Sequence, residues 1–450
     1  MSHDVIIIGG GTAGLGAARA SRVLGRRPVL ITDGPIGGDC TFTGCVPSKT
    51  LIAASRAGVD FDLAMERVHR TVDGIAATES ADVLRSEGVE VIEGRGAFVA
   101  ADSVEVDGRT FTSDRILIAT GANATIPQID GLDSVPFLTT ETVWGLDVLP
   151  PSIGILGAGP AGSELAMAFA GFGSSVTIFE MADRVLPNEE PEASAVVKRA
   201  LEGEGVRVCL EGSVAAVSGS TAGVDVQVGS DTISVATLLV ATGRSANTAS
   251  LGLDAAGVKT TPSGHVLVDG KLRTNVKGIR AAGDVTGLLP FTHAADEQGR
   301  MAIAHAFGKG ARWSYSTSAT PWVTFTSPEV ARLGVLEADA PEGAMVAHLP
   351  LDRVDRAITD GRTDGFVKLI AAPKSLTRGL FGGQIVGATI VAPRAGEMIH
   401  GPAIAARTGM FVGRLAQVTT PYPTYASAIQ QAAGQFFQPV SGLEARPAQR

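Results

Sequence analysis

The sequence predicts an α/β chain built from two similar strand–turn–helix domains, followed by a smaller C-terminal domain of α+β texture. Three observations predict it: a glycine-rich turn after an apolar strand at Val5, a second copy at Ile153, and a change of texture near Thr320. A length of 450 residues asks for two to three domains rather than one core. Hydrophobic residues make up 45% of the chain, with little low-complexity sequence, as in globular proteins. The 56 glycines follow no collagen period and cluster where strands run into helices.

The first copy, VIIIGGGTAGLGAARA from Val5 to Ala20, reads as a short β-branched strand, a glycine turn and an alanine-rich helix. Gly9, Gly11 and Gly14 supply the GxGxxG spacing in that context. The first glycine suits the tight turn, the second lets backbone approach a pyrophosphate at the helix N-terminus, and the third lets helix and strand pack closely. Asp33, just after the strand PVLIT, stands roughly 20 residues beyond Gly14, where an acid holds an adenosine ribose.

The second copy, IGILGAGPAGSELAMAFA, carries Gly157, Gly159 and Gly162, with Glu180 closing the next strand, SSVTIFE. A carboxylate there hydrogen-bonds a free ribose 2′-OH and repels a 2′-phosphate, so Glu180 favours NADH over NADPH. Arg184, close by in sequence, softens that preference. Two strand ends then echo each other, ILIATGA with Ala119, Thr120 and Gly121, and LLVATGR with Gly243 and Arg244. In GIRAAGDV a tight turn sets Gly283 before Asp284, a plausible partner for a cofactor polyol or phosphate that would alone be a turn former.

Three cysteines are too few for a disulfide framework. Cys209, in the apolar run VRVCL, is expected to be an inert buried thiol. Cys40 and Cys45 stand in GGDCTFTGCVPSK, with no second Cys or His pair at zinc spacing, so no metal site is expected. The start MSHDVIIIGGG has no basic leader region, and no run of about 20 apolar residues suggests a membrane span. The expectation is a cytoplasmic protein, in which a close cysteine pair is redox-active rather than structural. A net charge of −9 disfavours nucleic acid or an anionic membrane as partner.

Cys45 immediately precedes a predicted helix, VPSKTLIAAS, started by Pro47, and a helix N-terminus stabilises a thiolate. Cys40 is expected in the preceding loop, more exposed. Lys49 follows Cys45 by one turn and projects from the same face. From Thr320, VTFTSPEVARLGV, GFVKLIAA and QIVGATIVA read as antiparallel strands, with helices from Ala395 to Thr408 and from Tyr425 to Phe437. Residues 438–450 read as a disordered tail.

These motifs, in this order, resemble the FAD-dependent pyridine nucleotide–disulfide oxidoreductases, among them lipoamide dehydrogenase, glutathione reductase and mercuric reductase. The resemblance spans residues 4–437 and includes TSPEVARLG at Thr326. It implies two Rossmann-like domains, FAD-binding over 1–148 and 271–322 and NAD(P)-binding over 149–270, with a dimerisation domain over 323–437 that forms a homodimer. The first fingerprint would bind FAD and the second the nicotinamide nucleotide. Asp284 would contact the ribityl–phosphate region, and Gly38, Lys49, Gly243 and Arg244 join the cofactor-binding set. Cys45 would be the thiol nearest the flavin, forming the charge-transfer thiolate, and Cys40 the interchange thiol. Lys49 and Glu164 would form an ion pair beside flavin N5.

The departure is at the C-terminus. Where lipoamide dehydrogenase and glutathione reductase carry His-Pro-Thr-x-x-Glu, this chain has Tyr422, Pro423, Thr424, Tyr425, Ala426 and Ser427. A tyrosine, with an ordinary pKa near ~10, is a poor proton shuttle, and such help is worth about 10²–10⁴-fold. The run resembles mercuric reductase, which also has a Tyr there, although the cysteine pair that enzyme carries at its C-terminus is missing from FQPVSGLEARPAQR. The expected acceptor is a small disulfide or a soft metal ion. Alternatives are a quinone or dye reductase using the flavin directly, or a slow-turnover redox sensor.

Overall fold

In the computed structural model, which describes residues 3–221, 223–309, 314–373 and 380–449, the chain divides into two compact units. The first gathers 1–127, 138–149 and 242–316, and the second 128–137, 150–241 and 317–450. The chain rejoins the first unit at Thr242, ahead of the expected residue 271, because Arg244–Ala246 pairs antiparallel with Ala122–Ala124. The segments expected as separate central and C-terminal domains fall in one unit.

Five parallel strands centre the first unit, in the order Ile279–Ala281, Ile116–Ile118, Val5–Ile8, Pro28–Thr32 and Glu90–Glu93. All four residues of Val5–Ile8 are buried, as in a strand covered on both faces. From it the chain passes to one neighbouring strand and later returns on the other side, so its carboxyl end is a topological switch point, where such sheets bind ligands. Helices Thr12–Val23 and Thr292–Ala306 pack at glycine contacts: a Cβ on Gly299 would lie 2.1 Å from Ala13 O.

The second unit repeats the plan with parallel strands Arg207–Cys209, Ser175–Phe179, Ser152–Leu156 and Thr237–Val240. In each unit a three-stranded antiparallel meander accompanies the parallel sheet. These are Ala97–Ala100, Ser103–Val106 and Arg109–Thr112 in the first, and Val214–Ser220, Gly223–Val228 and Asp231–Val235 in the second. Cys209, expected buried, is half-buried because it ends an edge strand.

The C-terminal sheet has six antiparallel strands: Trp322–Thr324, Glu329–Gly334, Gln384–Ala392, Phe366–Ala372, Met345–Pro350 and Arg446–Pro447, in spatial order. Its core lies against helices Ala395–Met398, His400–Thr408 and Ser427–Gly434, shorter pieces of the two helices expected. No described helix is long and apolar enough to cross a membrane.

The disordered tail expected at 438–450 is instead folded as far as Gln449; Arg450 lies outside the described residues. Arg446 pairs with Val346 and Pro447 with Met345 in the sheet. The Arg446 guanidinium donates to both Glu337 carboxylate oxygens, and the Gln449 N–H reaches the same carboxylate at 3.1 Å. Buried Lys368 adds a contact of 2.9 Å to Glu337, while also pairing with Glu190 at 3.3 Å and with Glu192. Burial works against the Glu337 charge, yet the Arg446, Lys368 and Gln449 hydrogen bonds prevail and hold its carboxyl down at about 2.

Because that value lies below the ordinary one, the stabilisation is complete above pH 4.5 and is lost as pH falls to about 2. Glu337→Gln is expected to cost roughly 1–3 kcal/mol at pH 7 by leaving Lys368 and Arg446 with one anion fewer. It should also flatten the pH dependence of the melting temperature across that acid window, as thermal scans at pH 3 and pH 7 would measure.

Candidate functional site

The two glycine turns are built alike. Gly9 has φ +114° and Gly157 φ +100°, in the region that favours glycine. A Cβ on Gly14 would stand 1.9 Å from Gly9 O, and one on Gly162 2.0 Å from Gly157 O, so the third glycine of each set is required by the chain itself. Gly11 and Gly159 differ, because a Cβ on either meets nothing within 4 Å. Each caps its helix without a side-chain hydrogen bond among the described residues, so the N-cap side chain takes none of the first-turn N–H groups. Both cradles fit a pyrophosphate.

The two acidic residues expected as ribose partners each stand just past a parallel strand. Asp33 is exposed after Pro28–Thr32 and pairs with Arg95 at 3.0 Å. Glu180 follows Ser175–Phe179 and accepts the N–H of Ala158 at 2.7 Å and of Ala182 at 2.9 Å. The two echoing strand ends interlock in the first unit: Thr120 Oγ1 donates to Asn247 O at 2.8 Å, and Asn247 N–H donates to Gly121 O at 3.0 Å. Ala119 rests on the glycine turn, its carbonyl oxygen 2.1 Å from where a Gly9 Cβ would stand.

Cys40 lies in a short helix, Gly38–Phe42, rather than a loop, and Cys45 opens the helix Cys45–Arg56. Cys40 is half-buried and Cys45 exposed, the reverse of the expected order. The reason is Gly44, where a Cβ would lie 2.7 Å from Asp39 O and 3.3 Å from Cys40 Cα, so the chain folds down over Cys40. The two cysteine side chains are hydrogen-bonded to each other. That hydrogen bond, then burial, pushes the Cys40 thiol up, and Cys40 keeps its proton in the resting pair.

Two residues not singled out in the sequence hold this pair. Thr292 Oγ1 is 3.2 Å from Cys45 Sγ, and its hydroxyl also works to lower the Cys40 thiol. Thr292 begins the helix Thr292–Ala306, so a helix N-terminus accompanies the hydroxyl at the thiols. Its neighbour His293 stacks on Phe291 with ring centroids 5.9 Å apart. Trp144 Nε1 donates to Thr43 O and Thr140 O, both at 2.9 Å, and so clamps the turn between the cysteines.

Arg244 ties the redox segment to Asp284. Its guanidinium donates to the Asp39 carboxylate and to Ala122 O, and its Nε lies 3.5 Å from Asp284 Oδ2. Burial pushes the Asp284 carboxyl up, Arg244 opposes this, and the Asp39 and Cys45 charges reinforce it.

Lys49 lies on Cys45–Arg56 in the first unit, and Glu164 is buried on Pro160–Gly171 in the second. Glu164 Oε1 accepts the Phe325 N–H at 2.8 Å. Tyr422 is 77% exposed and its hydroxyl donates to Asp355 at 2.9 Å, which pushes the phenol further up. Ser427, at the family's Glu position, donates to Thr424 O at 2.7 Å, so Asp355 is the carboxylate that orients the tyrosine. Asp355 lies 67 residues from Tyr422, and no local motif signals the pairing.

Thr292→Val is expected to slow alkylation of the thiol pair at pH 7 by about threefold to tenfold, the equivalent of roughly 1 kcal/mol for one hydrogen bond. Thr292→Ser should restore the rate, and iodoacetamide kinetics against pH would check both.

Comparison with known proteins agrees with this geometry. The pyridine nucleotide-disulphide oxidoreductase family matches residues 3–299, and the family's dimerisation domain matches residues 320–433. A mercuric reductase from Streptomyces lividans is 36% identical over 472 residues, which cover 98% of each chain. An NAD(P)H dehydrogenase (quinone) from Mycobacterium tuberculosis is 33% identical, covering 96% of this chain and 94% of that one. The Cu(II) complex of RclA, an HOCl-induced flavoprotein disulfide reductase from Escherichia coli, matches with a TM-score of 0.86 at 29% identity, over 96% of this chain and 99% of that one. With both glycine turns, the thiol pair and the dimerisation domain accounted for, the chain is an oxidoreductase that belongs to the pyridine nucleotide-disulphide oxidoreductase family.

Proposed function

We propose that this enzyme uses NAD(P)H and FAD to reduce the Cys40–Cys45 pair, and passes the pair's electrons to a soft metal ion. Gly9, Gly11, Gly14, Asp33, Gly38, Ala119, Thr120, Gly121, Gly243, Arg244, Gly283 and Asp284, all in the first unit, would hold FAD. Gly157, Gly159, Gly162 and Glu180 would hold the nicotinamide nucleotide. When bound, the flavin supplies a two-electron relay between a nicotinamide hydride and a thiol pair. Lys49 and Glu164 would be the charged pair beside it. NADH is favoured over NADPH, because Glu180 is fixed by two backbone N–H groups where a 2′-phosphate would have to sit.

The observation that carries the metal reading is Tyr422 bound to Asp355. A phenol pushed up by a carboxylate keeps its proton, so it cannot serve as base for the interchange thiol. Ordinary disulfides would forfeit about 10²–10⁴-fold in rate without that base. A thiophilic ion makes no such demand, since metal binding itself drives protons off thiols. The mercuric reductase relatives and the Cu(II) complex of RclA support the same choice. In a homodimer, the C-terminal domain of the second subunit would bring its tyrosine to this thiol pair. A reducing cytoplasm would suit the exposed thiol.

Quinone reduction is the second reading, favoured by the M. tuberculosis relative. Steady-state oxidation of NADH and NADPH with Hg(II), Cu(II), menadione and small disulfides separates the two. Cys40→Ser is expected to cut metal turnover roughly 100-fold or more while quinone turnover survives. Metal turnover that persists in Cys40→Ser, or turnover with quinone alone, would sink the proposal. Anaerobic NADH titration should raise a long-wavelength absorbance band after two electrons, and NADPH should do so less readily.

A further inference from the structure

We infer that Asp39 is a built-in competitor for the phosphates of the dinucleotide, its carboxylate and those phosphates contending for the one guanidinium of Arg244. The inference rests on the reading that puts FAD at the first glycine turn, and goes beyond it.

Backbone contacts bring the groups together around one helix N-terminus. Gly38 lies so close to the turn that its Cβ would stand 2.8 Å from Gly11 Cα. Gly283 lies so close to the first helical turn that its Cβ would stand 3.2 Å from Ala13 Cβ. Asp39 and Asp284 directly follow these two glycines, so both carboxylates are carried to the start of Thr12–Val23. Arg244 spans them, bonded to Asp39 and 3.5 Å from Asp284.

Charge then decides the outcome. A helix N-terminus and a guanidinium both favour an anion. Here one guanidinium already faces two carboxylates. A pyrophosphate adds further negative charge at Gly11, the open side of the same turn. Asp39 and the phosphates cannot both keep Arg244, and Asp39 is the more exposed, hence the cheaper to release to water. The exchange is transmitted directly to the redox segment, because Asp39 precedes Cys40 and its carbonyl accepts the Thr43 N–H at 2.9 Å. Asp39 is thus a positioning residue that couples cofactor occupancy to the seat of the interchange thiol.

The test uses the purified holoenzyme, with FAD release followed by the return of flavin fluorescence on dilution. Asp39→Asn is expected to slow release about tenfold, as removal of a competing charge should. Damage to the segment would only speed release, so slowing is a signature that a merely structural role does not give. Arg244→Met should speed release by about 100-fold, with Arg244→Lys between it and wild type because a lysine cannot bridge two anions side by side. Asp39→Asn should have no effect on the Arg244→Met background. Release from Asp39→Asn at or above the wild-type rate overturns the inference. If the Arg244 substitutions still speed release, only the competition falls; if neither site matters, the placement of FAD at this turn falls too.

Discussion

The first unit depends on how closely one helix descends onto the strand before it. Gly14 comes so near Gly9 that no side chain fits between them, and the approaches of Gly9, Gly38 and Gly299 share this property. Gly9 lies under Ala119, Gly38 against Gly11, and Gly283 and Gly299 against Ala13. Five stretches of chain meet here, four of them where only backbone can meet backbone. The constraint is excluded volume, which makes it rigid. Asp39, Asp284 and the thiol segment are therefore located by main chain, and their side chains have only local freedom left to settle.

The second unit uses the same device at Gly157 and Gly162, but adds a polar hub in place of redox groups. Lys368 is buried among Glu190, Glu192 and Glu337, with Arg446 closing the set from the C-terminal strand. Desolvating so many charges is expensive, and only near-complete pairing makes the arrangement tolerable. Such a hub discriminates between correct and incorrect packing of the surrounding segments more than it adds to stability.

What was legible in the sequence follows from the range over which each cause acts. The glycine turns are local constraints, and Gly9, Gly11, Gly14 and their second copies announced themselves by spacing. The cysteine pair and Lys49 belong to one short motif and were equally readable. Burial was not, because the cover over Cys40 comes from a fold-back at Gly44 that no pattern encodes. Thr292 reaches Cys45 across 247 residues, and Asp39 reaches Arg244 across 205. The tail failed for a related reason: its strand is two residues long and its charge partner is 109 residues away. Polar composition described the segment correctly and still gave the wrong state, since pairing decided it.

The short strand Arg446–Pro447 bears on solubility as well as on the fold. A sheet edge such as Met345–Pro350 offers unpaired backbone groups to any passing chain, and long exposed edges promote aggregation. Here the edge is partly taken by the chain's own terminus, opposite Met345 and Val346. The new outermost strand is two residues long and contains a proline, which has no N–H to offer. A terminus that reads as an ornament on the last domain works as a stopper, keeping a six-stranded sheet from growing a seventh strand out of a neighbouring molecule.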